Sequence, residues 1–267
     1  MSLFHLILVA LVQGITEFLP ISSSGHLILL PKLTGMPDQG PVIDVAVHVG
    51  TLMAVLIYFR ADVLSAAKGG LAGGDAKGKR LFWALVLGTI PVVIAGGILK
   101  LTGGDQAMRS IVVIGWATLG FGVVLWIADR FAPLVRSMDS IGLKDGLLIG
   151  LAQILALIPG TSRAGITITA ARALGFNRED AARFSMLLAI PTIAAAGVLT
   201  TADLVSQGNI ALGLDALFAA LLAFAAAYLA IAFFMRWLQK ATLTPFVIYR
   251  IVLGVILIVI GHGLIDV

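Results

Sequence analysis

Six stretches of this chain are long and apolar enough to cross a lipid bilayer, and no other feature of the sequence restricts the fold as much. A membrane-spanning helix needs roughly 20 mainly apolar residues. The stretches are 42–59, 81–101, 110–128, 184–204, 212–235 and 244–265. Because 60% of the 267 residues are hydrophobic and only 12% are charged, most of the surface must face lipid. The sequence therefore predicts an integral membrane protein made of helices.

Three further features of composition narrow the class of protein. The first residues, MSLFHLILVALVQG, have neither the basic segment nor the small-residue cleavage site of a signal peptide, so we expect them in the mature protein. The chain has no cysteine, which excludes disulfides, thiolate metal sites and a cysteine nucleophile. The formal net charge of +4 comes from cations in short loops between apolar stretches. This distribution indicates membrane orientation rather than nucleic-acid binding.

The cations in the loops predict the topology. The loop 59–81 carries five Lys or Arg residues against two Asp residues, which places it in the cytoplasm, and its glycines predict a flexible connection. The other cations assigned to the cytoplasmic side are Arg130, Arg136, Lys144, Arg172, Arg178, Arg183, Arg236 and Lys240. By this count 3–32 begins and ends outside and 145–175 begins and ends inside. Each is therefore predicted to be a re-entrant helical hairpin, broken at Pro20 and at Pro159-Gly160.

The two predicted hairpins also share sequence. Residues recur at an offset of 140 positions in the pairs Gln13 with Gln153, Ser22 with Ser162, and Gly25 with Gly165, and Pro20 precedes Pro159 by 139. Three membrane crossings separate the two copies, so the second copy would be inverted in the membrane relative to the first. The predicted fold is an all-α integral membrane protein, a single domain over 1–267, with six transmembrane helices and two re-entrant hairpins. These elements form an inverted-topology repeat of about 1–130 and about 140–267. Broken helices in such repeats bind anions, because their N-termini present N–H donors and positive dipole ends.

The tip of the first hairpin, 13–26, reads QGITEFLPISSSGH and concentrates reactive groups. Gln13 and Glu17 are four residues apart and share a helix face. A run of donors that could surround a phosphate follows Pro20, namely Ser22, Ser23, Ser24 and Gly25, and then comes His26. Polar groups are costly to bury in a bilayer, which favours a functional role. Two alternatives stay open: Glu17 and His26 lock the hairpins together, or the serines only cap a helix.

The tip of the second hairpin, 159–169, reads PGTSRAGITIT and supplies a cation. Arg163 is always charged and can bind a phosphate through two N–H groups, with Thr161 and Ser162 beside it as further donors. The alternative is a structural arginine that extends towards the membrane surface. Such arginines usually lie near helix ends rather than in a Pro-Gly turn, so we favour anion binding.

Polar residues outside the two tips have weaker indications of function. Asp44 and His48 lie one turn apart at the start of a predicted span and could support the site indirectly, although helix-dipole and interfacial roles also explain them. Arg250 lies within the last predicted span and is either a structural partner of a carboxylate or part of a transport pathway. Glycines scattered through the predicted spans are typical of close helix packing.

Taken together, the two tips resemble the undecaprenyl-diphosphatase family, the bacitracin-resistance proteins often called BacA or UppP. The resemblance covers essentially the whole chain. It includes EFLPISSSGH (17–26), DVAVHVGTLMAVLIYFR (44–60), PGTSRAG (159–165), FSMLLAIPT (184–192) and FVIYRIVLG (246–254). It implies removal of the terminal phosphate of a C55 polyprenyl diphosphate, which regenerates the lipid carrier for cell-wall glycans. It also implies an inner-membrane protein, often a homodimer.

The resemblance also implies site residues. Glu17, Ser23, His26 and Arg163 are the expected catalytic residues; the expected phosphate-binding group is Ser22, Ser24, Gly25, Thr161, Ser162 and Thr167, with Gln13, Asp44 and His48 behind them. Two positions depart from the family pattern. Gln13 stands where some members have a second acidic residue, which weakens a metal site made of two carboxylates. Ala164 stands where many members have serine, which removes one possible phosphate donor.

Several points of mechanism stay open. Either Ser23 attacks after losing its proton to Glu17 or His26, or one of these bases activates water. A Mg²⁺ or Ca²⁺ ion that bridges Glu17 and the diphosphate is expected as a cofactor. The alternative to an enzyme is a transporter that moves a polyprenyl phosphate or another anion between leaflets. By the charge count the first tip enters from outside, so we expect the site to open to the periplasm. An acid-phosphatase mechanism is set aside, because Thr169 stands where it needs a histidine.

Overall fold

The computed structural model is helical in every long segment that it describes, namely residues 2–37, 39–71, 74–104, 108, 110–206 and 213–263. The eleven α-helices within these ranges are α1 (Leu3–Thr16), α2 (Ser23–Thr34), α3 (Gly40–Tyr58), α4 (Arg60–Gly70), α5 (Ala76–Thr102), α6 (Ile111–Phe131), α7 (Leu143–Gln153), α8 (Arg163–Ala173), α9 (Arg178–Ser206), α10 (Leu214–Leu238) and α11 (Thr244–Gly261). Short 3-10 turns occupy Met138–Ser140 and Ile154–Leu157.

Six of these helices are long and apolar enough to cross a membrane: α3, α5, α6, α9 over Arg178–Val198, α10 and α11. They coincide with the six predicted apolar stretches, so the prediction of an all-α, multi-pass membrane protein is confirmed. The turn predicted on the outer side at 206–209 lies largely outside the described residues.

The helix breaks fall where proline was expected to cause them. In the first hairpin α1 ends at Thr16, and Pro20 lies in the turn before α2. In the second hairpin a 3-10 turn follows α7, and Pro159 and Gly160 precede α8. Proline lacks the N–H that an α-helix needs in its interior, so both segments are pairs of short helices.

The loop 59–81 differs from its prediction. A helix, α4, occupies Arg60–Gly70, and its glycines lie against α5 instead of loosening the chain. A Cβ atom built on Gly70 would lie 2.6 Å from the Cδ2 atom of Phe82. Glycine is therefore needed here because two helices approach closely, and not because the connection is flexible.

Glycine also sets the distance between α5 and α7, the first helix of the second hairpin. A Cβ atom on Gly150 would lie 2.6 Å from the Cα atom of Gly88. The first hairpin packs in the same manner, because a Cβ atom on Gly14 of α1 would lie 2.6 Å from the Cβ atom of Ala226 on α10. Close contacts of small residues thus fix the first helix of each hairpin against a long apolar helix.

Replacing Gly150 with alanine is expected to destabilise the protein. The added methyl group has no space and must push α5 and α7 apart, which costs about 1–3 kcal/mol. Gly97→Ala is the matched control, because a Cβ atom at Gly97 meets nothing within 4 Å and alanine favours a helix by up to about 1 kcal/mol. Thermal melting in detergent should show a lower Tm for Gly150→Ala and an equal or higher Tm for Gly97→Ala. Equal melting temperatures would contradict this packing argument.

Candidate active site

The turns that lead into α2 and α8 have the same local structure. Ser22 and Ser162 have φ angles of 73° and 70°, and they are the two residues other than glycine with positive φ among those described. The Ser22 Oγ atom accepts a hydrogen bond from the backbone N–H of Gly25 at 3.3 Å, and Ser162 Oγ accepts one from Gly165 at 3.1 Å. Such strained backbone usually costs about 1–3 kcal/mol and clusters at functional sites. The two turns therefore mark the candidate site.

Glu17 lies in the first turn and is the acidic centre of the site. Glu17 is buried, and its Oε2 atom accepts hydrogen bonds from Gln13 Nε2 at 2.9 Å and from Ser23 Oγ at 2.6 Å. The contact with Gln13 follows from their spacing of four residues along α1. The hydroxyl of Ser23, a possible nucleophile, thus hydrogen-bonds a carboxylate that can accept its proton.

Arg163, the first residue of α8, joins the second tip to the first. Its Nη2 atom donates to Glu17 Oε1 at 2.9 Å and to the Glu17 carbonyl oxygen at 3.4 Å. The Nη1 atom donates to the carbonyl oxygen of Ser185 at 3.5 Å. The two charged side chains are only 14% and 6% exposed. The structure thus brings together an acid and a guanidinium that are 146 positions apart in the sequence.

His26 is bound on both ring nitrogens, and neither contact is with Ser23. Nδ1 lies 2.6 Å from the carbonyl oxygen of Ser22, and Nε2 lies 2.5 Å from the hydroxyl oxygen of Tyr249. The rings of His26 and Tyr249 are nearly parallel, with centroids 5.8 Å apart and planes 9° apart. In the described part of the chain the carboxylate of Glu17, rather than the imidazole, is the partner of the Ser23 hydroxyl.

The residues predicted to bind phosphate occupy different environments. Ser24 is exposed, whereas Ser22 and Ser162 are buried and cap their helices. Thr161 is fully buried, and its hydroxyl has no hydrogen-bond partner among the described residues. Thr167 hydrogen-bonds the Arg163 carbonyl oxygen at 2.8 Å and shares a 2.6 Å hydrogen bond with the hydroxyl of Ser185. Ser24 is thus the member of this set that a ligand could reach without rearrangement.

Arg250 of α11 holds the backbones of both tips. Its side chain is fully buried, and Nη1 donates to the Pro20 carbonyl oxygen at 3.2 Å while Nη2 donates to the Gly160 carbonyl oxygen at 3.1 Å. Its Nε atom donates to the Thr118 carbonyl oxygen at 3.1 Å. Of the two roles considered for Arg250, the structural one would have paired it with a carboxylate, whereas its partners among the described residues are carbonyl groups. An arginine can satisfy several carbonyls at once because its five N–H groups lie in a fixed plane.

The remaining predicted residues are Gln13, Asp44 and His48. Gln13 is fully buried, and its Oε1 atom has no hydrogen-bond partner among the described residues. His48 interacts electrostatically with Glu17, and its Nδ1 atom donates to the Asp44 carbonyl oxygen at 2.7 Å. The carboxylate of Asp44 accepts a hydrogen bond from Gln39 at 2.7 Å.

Sequence reasoning overlooked Ser185 and Tyr249. Ser185 contacts both Arg163 and Thr167, and Tyr249 contacts His26. Little in the sequence indicates a function for either residue. Ser185 is a single serine in the apolar run FSMLLAIPT, and Tyr249 is a tyrosine next to an intramembrane arginine. Both residues act through partners that are distant in sequence.

The described residues contain no group of three or more His, Cys, Asp or Glu side chains that could hold a metal ion. At the site itself Glu17 offers a carboxylate and Gln13 an unpartnered amide oxygen. Both are ligands of the type that Mg²⁺ and Ca²⁺ prefer. The site therefore fits a cation only if substrate phosphate oxygens complete its coordination.

An acid, a hydroxyl and a guanidinium inside a bundle of apolar helices define a polytopic membrane protein with a buried polar site. Comparison with known proteins assigns the family. The chain belongs to the family of the bacitracin resistance protein BacA, which matches residues 6–256. It is 57% identical over 267 residues to "Undecaprenyl-diphosphatase" of Roseobacter denitrificans, covering 98% of this chain and 100% of the relative.

Two further relatives carry similar names. The chain is 56% identical to "Undecaprenyl-diphosphatase" of Dinoroseobacter shibae, with 98% of this chain and 100% of the relative covered. It is 50% identical over 276 residues to "Undecaprenyl-diphosphatase 2" of Stutzerimonas stutzeri, with the same coverage of both chains. The family predicted from the two tip motifs is thereby confirmed.

Proposed function

We propose that this protein hydrolyses undecaprenyl diphosphate to undecaprenyl phosphate and inorganic phosphate, and so recycles the lipid carrier for cell-wall synthesis. The names of relatives more than half identical over the full chain support this activity. Among the residues of the site, two contacts of Glu17 support this activity most directly. Glu17 lies 2.6 Å from Ser23 and 2.9 Å from Arg163. A base, a nucleophile and a phosphate-binding cation thus share one buried location.

In the proposed reaction Arg163 and the backbone N–H groups of the serine turn bind the terminal phosphate. Glu17 takes the proton of Ser23 as Oγ attacks the terminal phosphorus, and the bond from that phosphorus to the bridging oxygen breaks. Undecaprenyl phosphate leaves with the electron pair. Water then hydrolyses the phosphoserine: the proton of the water goes to His26, and Glu17 returns a proton to Ser23 Oγ. Activation of water by Glu17 is the alternative first step. The short Ser23–Glu17 distance supports the serine route.

A divalent cation, Mg²⁺ or Ca²⁺, is proposed to bind with the diphosphate at Glu17. The negative charge of Glu17 already balances the positive charge of Arg163. A diphosphate brings at least two further negative charges into this buried site. Bound there, the cation would neutralise charge on the phosphate oxygens. A chelator should abolish phosphate release, and added Mg²⁺ or Ca²⁺ should restore it. Full activity in the chelator would refute the requirement for a metal.

The finer membrane arrangement is also a proposal. We propose that α1 with α2 and α7 with α8 are re-entrant hairpins of an inverted repeat in the bacterial inner membrane, and that the site opens to the periplasm. The matching turns at Ser22 and Ser162 support the repeat. Because the chain has no cysteine, a single Ser24→Cys variant can be labelled cleanly. Labelling from the periplasm is expected, and labelling only from the cytoplasm would overturn the orientation. The homodimer implied by the family stays a prediction.

Two assays separate hydrolysis from transport. Purified protein in detergent should release inorganic phosphate from a long-chain prenyl diphosphate, and Arg163→Ala should abolish that release. Protein in liposomes should be tested in parallel for movement of a prenyl phosphate between leaflets. Lipid movement without any phosphate release would favour the transporter alternative and refute the proposed enzyme.

A further inference from the structure

The last helix, α11, carries two adjacent residues that contact the tips directly. Arg250 binds the carbonyl oxygens of Pro20 and Gly160, one from each tip. Its neighbour Tyr249 hydrogen-bonds the imidazole of His26, and the two rings are nearly parallel. One turn of α11 therefore fixes the backbone of both tips and the side chain of a proposed catalytic residue.

The contacts of His26 determine which ring nitrogen can take part in proton transfer. The Ser22 carbonyl oxygen can only accept a hydrogen bond, so Nδ1 of His26 carries a proton and donates it. In the neutral ring the lone pair is therefore on Nε2, which accepts from the Tyr249 hydroxyl. Any proton that His26 gains during the reaction must bind at Nε2.

A tyrosine hydroxyl suits this position because it both donates and accepts hydrogen bonds. It donates to Nε2 when the imidazole is neutral and accepts from Nε2–H when the ring is charged. The hydrogen bond can thus persist in both protonation states without movement of the ring, and the nearly parallel tyrosine ring lies at the edge of the imidazole. Phenylalanine would keep the ring and lose the hydrogen bond.

We propose that Tyr249 is a positioning residue for the reaction: it fixes the orientation of His26, whose tautomer the Ser22 carbonyl oxygen sets, so that Nε2 is the nitrogen that exchanges a proton. This inference rests on the proposed phosphatase function and adds to it a residue that does not touch substrate. Arg250 beside it would hold the two tips at the spacing that this geometry needs.

The test is Tyr249→Phe, with Tyr228→Phe as the matched control. Tyr228 lies on α10 and packs its ring against Tyr58. Tyr249→Phe is expected to lower kcat for phosphate release about tenfold with KM unchanged, as loss of one positioning hydrogen bond would do. Tyr228→Phe should change neither constant. Unchanged kcat in Tyr249→Phe, or a raised KM with unchanged kcat, would overturn the proposal.

A second readout does not depend on activity. In protein with ¹⁵N-labelled histidine, the Nε2 signal of His26, assigned by its loss in His26→Gln, should move in Tyr249→Phe towards that of an unbonded ring nitrogen. The Nδ1 signal should stay in place. If the wild type released no phosphate but this shift appeared, the proposed function would fail and the positioning contact would stand. An unchanged Nε2 signal would refute the contact whether or not the protein is active.

Discussion

Glu17→Gln is expected to abolish phosphate release, with kcat lowered at least about 100-fold and up to about 10⁴-fold, the range for loss of a general base. Glutamine keeps the size of the side chain but cannot take the proton of Ser23, whose hydroxyl lies 2.6 Å from Oε2. It also removes the charge that faces Arg163. Steady-state release of phosphate from undecaprenyl diphosphate in detergent measures the effect.

The sequence offers a matched control for this change. Glu179 is the only other glutamate in the chain, and its side chain contacts Gln239 at 3.4 Å, away from both tips. Glu179→Gln should therefore retain wild-type kcat. If Glu17→Gln kept more than a tenth of wild-type activity while it folded normally, Glu17 would not be the base and the mechanism would need another proton acceptor.

The sequence predicts those parts of the site that depend only on residues close together in the chain. Pro20 and Pro159 lie in the two turns, but three other prolines lie within α2, α5 and α9. Proline therefore located the turns only together with the glycine and serine residues beside it. A spacing of four residues puts Gln13 beside Glu17 on a helix, and the structure has this contact. Matching residues at a fixed offset also anticipated that Ser22 and Ser162 would occupy equivalent turns.

Contacts between distant segments could not be predicted in the same way. Apolar periodicity tells which face of α9 is buried, but it does not tell that Ser185 meets Thr167. Hydropathy likewise marks α11 as a span without indicating that Tyr249 reaches His26. These contacts depend on how helices pack against one another, and packing is set by the shapes of many side chains together.

The loop cations from which the topology was predicted also form contacts that the sequence does not show. Charge counting treated Arg172, Arg178 and Arg183 as loop residues that mark the cytoplasmic side. In the structure Arg172 lies within α8 and is fully buried, and all three arginines form ion pairs. A cation that orients a membrane protein can therefore also stabilise its fold, and a sequence count cannot separate the two roles.

Asp129 is the centre of the largest of these ion-pair groups. Its Oδ1 atom accepts from Arg178 Nε at 2.7 Å and from Arg172 Nε at 3.3 Å, and its Oδ2 atom accepts from the backbone N–H of Leu243 at 3.2 Å. These partners belong to α9, α8 and the residue before α11. One carboxylate on α6 therefore ties together the C-terminal end of the helix that begins with Arg163 and the start of the helix that carries Tyr249.

Asp129→Asn is expected to destabilise the protein by about 3–5 kcal/mol, because it leaves the buried guanidinium of Arg172 and the partly buried one of Arg178 without this negative partner. The Tm in detergent should fall on the order of 10 °C. Asp139→Asn is the matched control. Asp139 pairs with Lys77, but both side chains are more than half exposed, and exposed pairs contribute little because water screens them. Its Tm should hardly change. Equal melting temperatures for the two variants would show that the buried cluster is dispensable, and that helix packing alone holds α8 and its Arg163 in place.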